Sequence, residues 1–155
     1  MASAVATDKI ATQFLLALYD HDPDSTDAKV TSADGGTTEK WLDMRDYRGF
    51  AVMVAPGAMT GAGITQVEIV ASETADETDS SVTVIKDSST VAADALGDYV
   101  FLECTAEEIA HAASTYALRY VAARITLDNA ADEATVIYFG IPLKPHDGLT
   151  ATTIA

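Results

Sequence analysis

The chain contains a single cysteine, Cys104, among its 155 residues. No intrachain disulfide can form, and no cysteine-based zinc site can be built from this chain alone, so stability has to come from packing. Basic side chains are also scarce. Nine Lys and Arg stand against 24 Asp and Glu, a formal net charge of -15, and no basic cluster exceeds a pair such as Arg45 and Arg48. Nucleic-acid backbones and anionic membrane surfaces are both bound through basic groups, so neither is expected as a partner. No stretch approaches the roughly 18 apolar residues of a membrane-spanning helix. The N-terminus lacks a basic segment followed by an apolar run, so the expectation is a chain made and used without Sec export.

Catalytic signatures are missing too. His21, His111 and His146 lie far apart and show none of the HxH, HxxxH or HExxH spacings that bring imidazoles to one metal. There is no G-x-S-x-G elbow, and Gly57, Gly61 and Gly63 form neither a dinucleotide fingerprint nor a phosphate loop with its lysine. The segment Asp20 to Asp27 places oxygens at alternating positions, but Ser25 and Thr31 stand where a calcium loop requires Gly and Glu, and Pro23 stiffens it. It reads as an acidic surface turn. The expectation is a protein that is not an enzyme and carries no cofactor and no catalytic or metal-binding residues.

What is present is core material. Hydrophobic residues make up 48% of the chain, and at this size folding can bury roughly 70% of the surface exposed by the unfolded chain. Alternation with a period of two recurs in short segments separated by Gly, Asp, Ser and Thr clusters, the pattern of antiparallel strands. Candidate strands are Gln13 to Tyr19, Lys29 to Ser32, Glu39 to Asp43, Gly49 to Ala55, Thr65 to Ser72, Ser81 to Lys86, Asp98 to Glu103, Leu118 to Leu127 and Ala134 to Phe139.

In Thr65 to Ser72, Val67, Ile69 and Ala71 alternate with polar Gln66 and Glu68, which predicts a half-buried strand. Phe50 to Val54 and Thr135 to Phe139 are apolar on both faces. This fits central strands covered on each side, or strands whose outer face meets another subunit. In Leu118 to Leu127, Val121, Ala123, Ile125 and Leu127 share one face and Arg124 points the other way.

Thr105 followed three residues later by Glu108 is a capping box, so a short helix is predicted over Ala106 to Ala113, linking two strands across one end of the fold. Cys104 is expected to be a buried structural thiol and Trp41 a partly buried anchor. Asp34-Gly35-Gly36 marks a turn, and Pro56 to Gly63 reads as a flexible apolar loop. The fold class that follows is all-β, an antiparallel β-sandwich of jelly-roll type with one short helix. Residues 1–12 form an N-terminal arm, 13–140 the sandwich, and 141–155 a C-terminal tail.

Apolar residues gather at both ends. Phe14, Leu15, Leu16, Leu18 and Tyr19 follow a polar, Ala-rich arm, while Ile141, Pro142, Leu143 and Leu149 lie beyond the last expected strand. Chain ends are ordinarily frayed, so apolar ends are candidates for contact with another subunit or a capsid by strand addition or tail docking.

The segments Arg45 to Val54, Gln66 to Ser72, Asp98 to Cys104 and Arg119 to Leu127, the last with its Arg119-Tyr120 and Arg124-Ile125-Thr126 pattern, resemble a group of small tailed-phage and prophage proteins across positions 40 to 140. The resemblance implies a virion structural protein of the β-sandwich capsid cement, or decoration, type. Such a protein binds the outside of a shell, often as a homotrimer, with the major capsid protein and itself as partners. It implies no catalytic residues. On this reading the chain is made in the host cytoplasm and ends on the capsid exterior, where many copies each add a modest interface. The alternative is a tail or head-fibre module that binds the host through loops such as Pro56 to Gly63.

Overall fold

The computed structural model describes residues 15–21, 29–30, 40–75, 82–89, 93, 97–114, 117–129 and 131–143. Its strands are β1 (Leu15–His21), β2 (Lys29–Val30), β3 (Leu42–Asp43), β4 (Tyr47–Pro56), β5 (Ile64–Ser72), β6 (Thr83–Asp87), β7 (Val100–Thr105), β8 (Tyr120–Leu127) and β9 (Ala134–Pro142). A 3-10 turn at Met44–Asp46 precedes β4, and the helix α1 (Ala106–Ala112) follows β7. Each expected strand is present, with ends moved by a few residues, and the helix ends one residue early.

Every strand pair is antiparallel. One sheet runs β1-β9-β4-β7 and the other β2-β8-β5-β6, with β3 also on β8. Because β2 pairs with Ile125 and Arg124 while β3 pairs with Val121 and Tyr120, the two short strands share one edge of β8. Counted as a single strand position, they give sheet orders 1-8-3-6 and 2-7-4-5. First pairs with last, second with second-to-last, and so on inward, and successive pairs alternate between the sheets. That is a long antiparallel ribbon wound into a jelly roll.

The core lies between the sheets. Phe50, Val52 and Val54 of β4, with Val136 and Tyr138 of β9, face Val67, Ile69 and Ala71 of β5 and Val121, Ala123 and Ile125 of β8, and all are buried. Tyr138 ties the layers together. Its ring meets Phe50 edge-on at 5.0 Å, and its hydroxyl accepts the Ala123 N–H at 2.8 Å. Ala123 falls between the stretches of β8 that β3 and β2 pair with, so a side chain from the opposite sheet serves the ladder where the split strand leaves an interval.

Helix α1 closes the side where β6 and β7 are the sheet edges, touching β4, β6 and β7. Its capping box forms as expected: Thr105 Oγ1 accepts the Glu108 N–H at 3.1 Å, and Glu108 Oε2 accepts the Thr105 N–H at 2.9 Å. Ile109 is its buried anchor. Lys86 of β6 donates to Glu108 at 2.5 Å, joining helix to strand.

Two expectations are corrected. The strand β5 is not half buried, because Glu68 and Val70 on its second face are buried along with Val67, Ile69 and Ala71. It lies between β8 and β6, and its register sets Glu68 opposite Arg124 and Val70 opposite Ala122. Secondly, Ile141 and Pro142 belong to β9 and are not part of a tail. Pro142 pairs with Tyr47 beside a register shift at Tyr47/Gly49, the kind of irregular strand end where a residue without an N–H is tolerated.

Candidate interaction surface

The sheet β1-β9-β4-β7 has two different faces. Its inward side is core, and its outward side is apolar as well. Register across the sheet sets Phe101 opposite Met53, Met53 opposite Ile137, and Ile137 opposite Leu18. In the next row Ala51 stands between Glu103 and Phe139, and Phe139 opposite Leu16. Directly opposite residues of an antiparallel pair share a face. On β9, β4 and β7 these rows therefore form an apolar stripe across the strands, bounded by Thr135 on one flank and by Glu103 and Thr105 on the other.

Phe101 is 48% exposed and Tyr99, just before β7, 64%. Met53, Ile137, Phe139 and Ile141 are half-buried. The Phe101 and Phe139 rings lie 6.4 Å apart in a tilted pair on the open face. Isolated exposed apolar residues are ordinary, but a continuous stripe with a polar rim is characteristic of a protein contact.

The stripe runs into a cleft of about 500 Å³ whose lining includes Arg48, Ala51, Lys86, Glu103, Cys104 and Ile141. Its chemistry is quiet. Cys104 is buried, and burial pushes its thiol up to about 12, so it is neutral and a poor nucleophile. The Lys86 ammonium is held by Glu108.

The outward side of the other sheet is built differently. There Arg124 Nε donates to Glu68 Oε2 at 2.6 Å, with side chains only 17% and 8% exposed. Gln66 donates to Asp87 at 3.0 Å. Just before β8, Arg119 grips Asp43 through two nitrogens at 2.9 and 2.6 Å, and Arg45 binds the same carboxylate. The Arg119 hydrogen bonds are the main reason that the Asp43 carboxyl lies well below the usual range, against an opposing push from burial.

The terminal residues proposed from the sequence fall in several places. Leu15, Leu16, Leu18 and Tyr19 lie in β1, where Leu16 and Leu18 align with the stripe by register. Ile141 is half-buried beside Gly49 on the same outward face. Pro142 is buried, and Leu143 is 59% exposed, its N–H donating to Asp46 O at 2.7 Å. Phe14 and Leu149 lie outside the described residues, as do most of the Asp20 to Asp27 turn and His146. The strand residues Met53, Phe101, Ile137 and Phe139 were not among the proposed site residues. The signal for Met53, Ile137 and Phe139 is the two-sided apolar pattern of Phe50 to Val54 and Thr135 to Phe139, whereas Phe101 lies in the separate strand Val100–Thr105.

Of the remaining candidates, Trp41 is half-buried against the core. His111 is exposed on α1, 3.8 Å from Glu107. Among the described residues there is no group of three or more His, Cys, Asp or Glu placed to hold a metal. No helix among them is long and apolar enough to cross a membrane.

No family model matches the chain, and no curated protein matches it. Among solved structures, it is similar to the crystal structure of SPBc2 prophage-derived protein YomS. The TM-score is 0.40 at 7% identity, over 82% of this chain and 94% of that one. Identity at that level transfers no residue.

Proposed function

We propose that this chain is a structural protein of a phage particle, a capsid decoration protein that binds the outer shell and stabilises contacts between capsomers. The observation that carries the reading is the polar-rimmed apolar stripe on the outward face of β1-β9-β4-β7, centred on Met53, Phe101, Ile137 and Phe139. Burying such a stripe against a partner contributes on the order of 25 cal/mol per Å² of apolar surface. Repetition over a lattice multiplies a modest contact into a large one. The partners on this reading are the major capsid protein and further copies of this chain, with a homotrimer as the expected unit, and no nucleic acid or membrane. The acidic balance suits a protein that stays soluble at high local concentration and does not adhere to DNA. The work is done by contact, without catalysis.

The test is to mix the purified chain with particles that lack it. The native chain should bind at many copies per particle and raise the temperature at which DNA escapes. The double substitution Phe101→Asp and Ile137→Asp should abolish binding while the chain stays folded. Undiminished binding by that variant, or a native copy number of only a few, would remove the proposal. Binding of the isolated chain to host cells would favour the tail or head-fibre reading instead.

A further inference from the structure

Two loops meet at one end of the sandwich, residues 57–63 after β4 and the described residues 128–129 and 131–133 after β8. They are laced together by backbone hydrogen bonds: Gly57 N–H to Glu133 O at 2.8 Å, Glu133 N–H to Ala58 O at 2.8 Å, and Asp128 N–H to Gly63 O at 2.9 Å. The segment that reads as a flexible loop in the sequence is therefore held by its neighbour. Within this lacing Asp132 is completely buried. One of its oxygens is well served, since Oδ1 accepts the Thr60 N–H at 2.5 Å, the Thr60 hydroxyl at 2.9 Å and the Gly61 N–H at 3.1 Å. The other, Oδ2, is buried without a hydrogen-bond partner.

A second carboxylate borders the same glycine. A Cβ added to Gly61 would lie 3.3 Å from Asp132 Oδ2 and 2.7 Å from Asp128 Oδ2, so both oxygens border the small space that the glycine leaves unfilled. Asp128 Oδ2 takes one hydrogen bond, from the Ala62 N–H at 3.0 Å. Among the described residues no Lys, Arg or His pairs with either acid. Burial works to neutralise Asp132, but the donors from Thr60 and Gly61, with a further contribution from the Gly63 N–H, outweigh it and hold the carboxyl below its usual range, so the group is anionic. A buried anionic oxygen without a donor, next to a second carboxylate, calls for a hard cation.

We propose that Asp132 and Asp128 bind a calcium ion in the space beside Gly61, fastening the loop after β4 to the loop after β8. Calcium fits better than magnesium because it accepts irregular oxygen shells, whereas magnesium demands a near-ideal octahedron at shorter distances. With two carboxylates as the protein's charged ligands, backbone carbonyls and water complete the shell. The affinity then falls in the weak range, on the order of 10⁻⁴ to 10⁻³ M.

The experiment is calorimetric titration of the full chain with calcium chloride at constant ionic strength, alongside thermal unfolding with and without the ion. One ion per chain should bind, and the unfolding temperature should rise more with calcium than with magnesium. Asp128→Asn keeps an acceptor for the Ala62 N–H and should weaken binding by about tenfold or more. Gly61→Ala keeps the chain's charge but fills the space and pushes the Asp128 carboxylate aside, and should remove binding. This second variant separates a site from general screening of a chain with a charge of -15. No heat of binding by the native chain, or equal binding by the native chain and both folded variants, overturns the proposal.

Discussion

The outward faces of the two sheets are built on opposite principles. On β2-β8-β5-β6 the outward side chains are satisfied within the chain, with Glu68 paired to Arg124 across the ladder and Gln66 bonded to Asp87. On β1-β9-β4-β7 the outward side chains include Met53, Phe101, Ile137 and Phe139, an apolar set in which Phe101 and Phe139 pair on the open face. The first face is closed by ion pairing and hydrogen bonding within the chain, and the second is apolar and partly open to solvent. A sandwich needs only its inner faces to be apolar, so the exposed apolar stripe on this outer face is surplus to closing the core, whereas on the other sheet Val70 and Ala122 are buried and Val84 alone is exposed among them.

The largest expected effect comes from breaking the satisfied face. Arg124→Met leaves the Glu68 carboxylate buried without its cation, and removing one partner of a buried pair costs about 3–5 kcal/mol. The change is read from the urea midpoint at constant slope. A loss below about 1 kcal/mol would show that water reaches this face, and the contrast would fail.

Acid provides a smaller test of the same side. The Asp43 carboxyl is depressed by the Arg119 hydrogen bonds, opposed by burial and assisted by Arg45. A depressed carboxyl binds fewer protons in the folded chain than in the unfolded one. Its stabilisation is therefore complete above the unfolded value of 3.8 and is lost as pH falls through the lower folded value. Native stability should decline below about pH 4, and Asp43→Asn should flatten that decline by about 1 kcal/mol, given the partial exposure of the group. Hydrogen exchange should show β3 and the start of β8 losing protection first, with the amides of β9 and β4 unaffected over the same range.

The smallest effect belongs to the apolar face. Phe101→Ser should change the stability of the isolated chain by no more than about 0.5 kcal/mol, because half of that side chain already lies in water. A chain that needs Phe101 in order to fold would contradict the division of labour between the faces.

Much of this fold is legible from residue order because its signals are local. Alternation locates β5 and β8, runs apolar on both faces locate β4 and β9, and Thr105 with Glu108 specifies α1, since a capping box is made by residues three apart. The buried Cys104 follows from its place in an apolar strand. The site is less legible. The two-sided apolar character of Phe50 to Val54 and Thr135 to Phe139 is visible in the sequence, but which side becomes core depends on what the other sheet brings. The apolar ends, Phe14 to Tyr19 and Ile141 to Leu149, are what stand out in the residue order, whereas the exposed stripe crosses the middle of the sheet.

The amino-acid order by itself determined the elements, the all-β class and the acidic, disulfide-free character of the chain, because these depend on neighbours within a few positions. Only the tertiary structure decided that Glu68 meets Arg124, that Tyr138 reaches Ala123, and that Asp132 is sealed beneath the loop at Thr60 and Gly61. Those partners are separated by 56, 15, 72 and 71 positions. Register between distant strands brings them together, and no local pattern encodes that register.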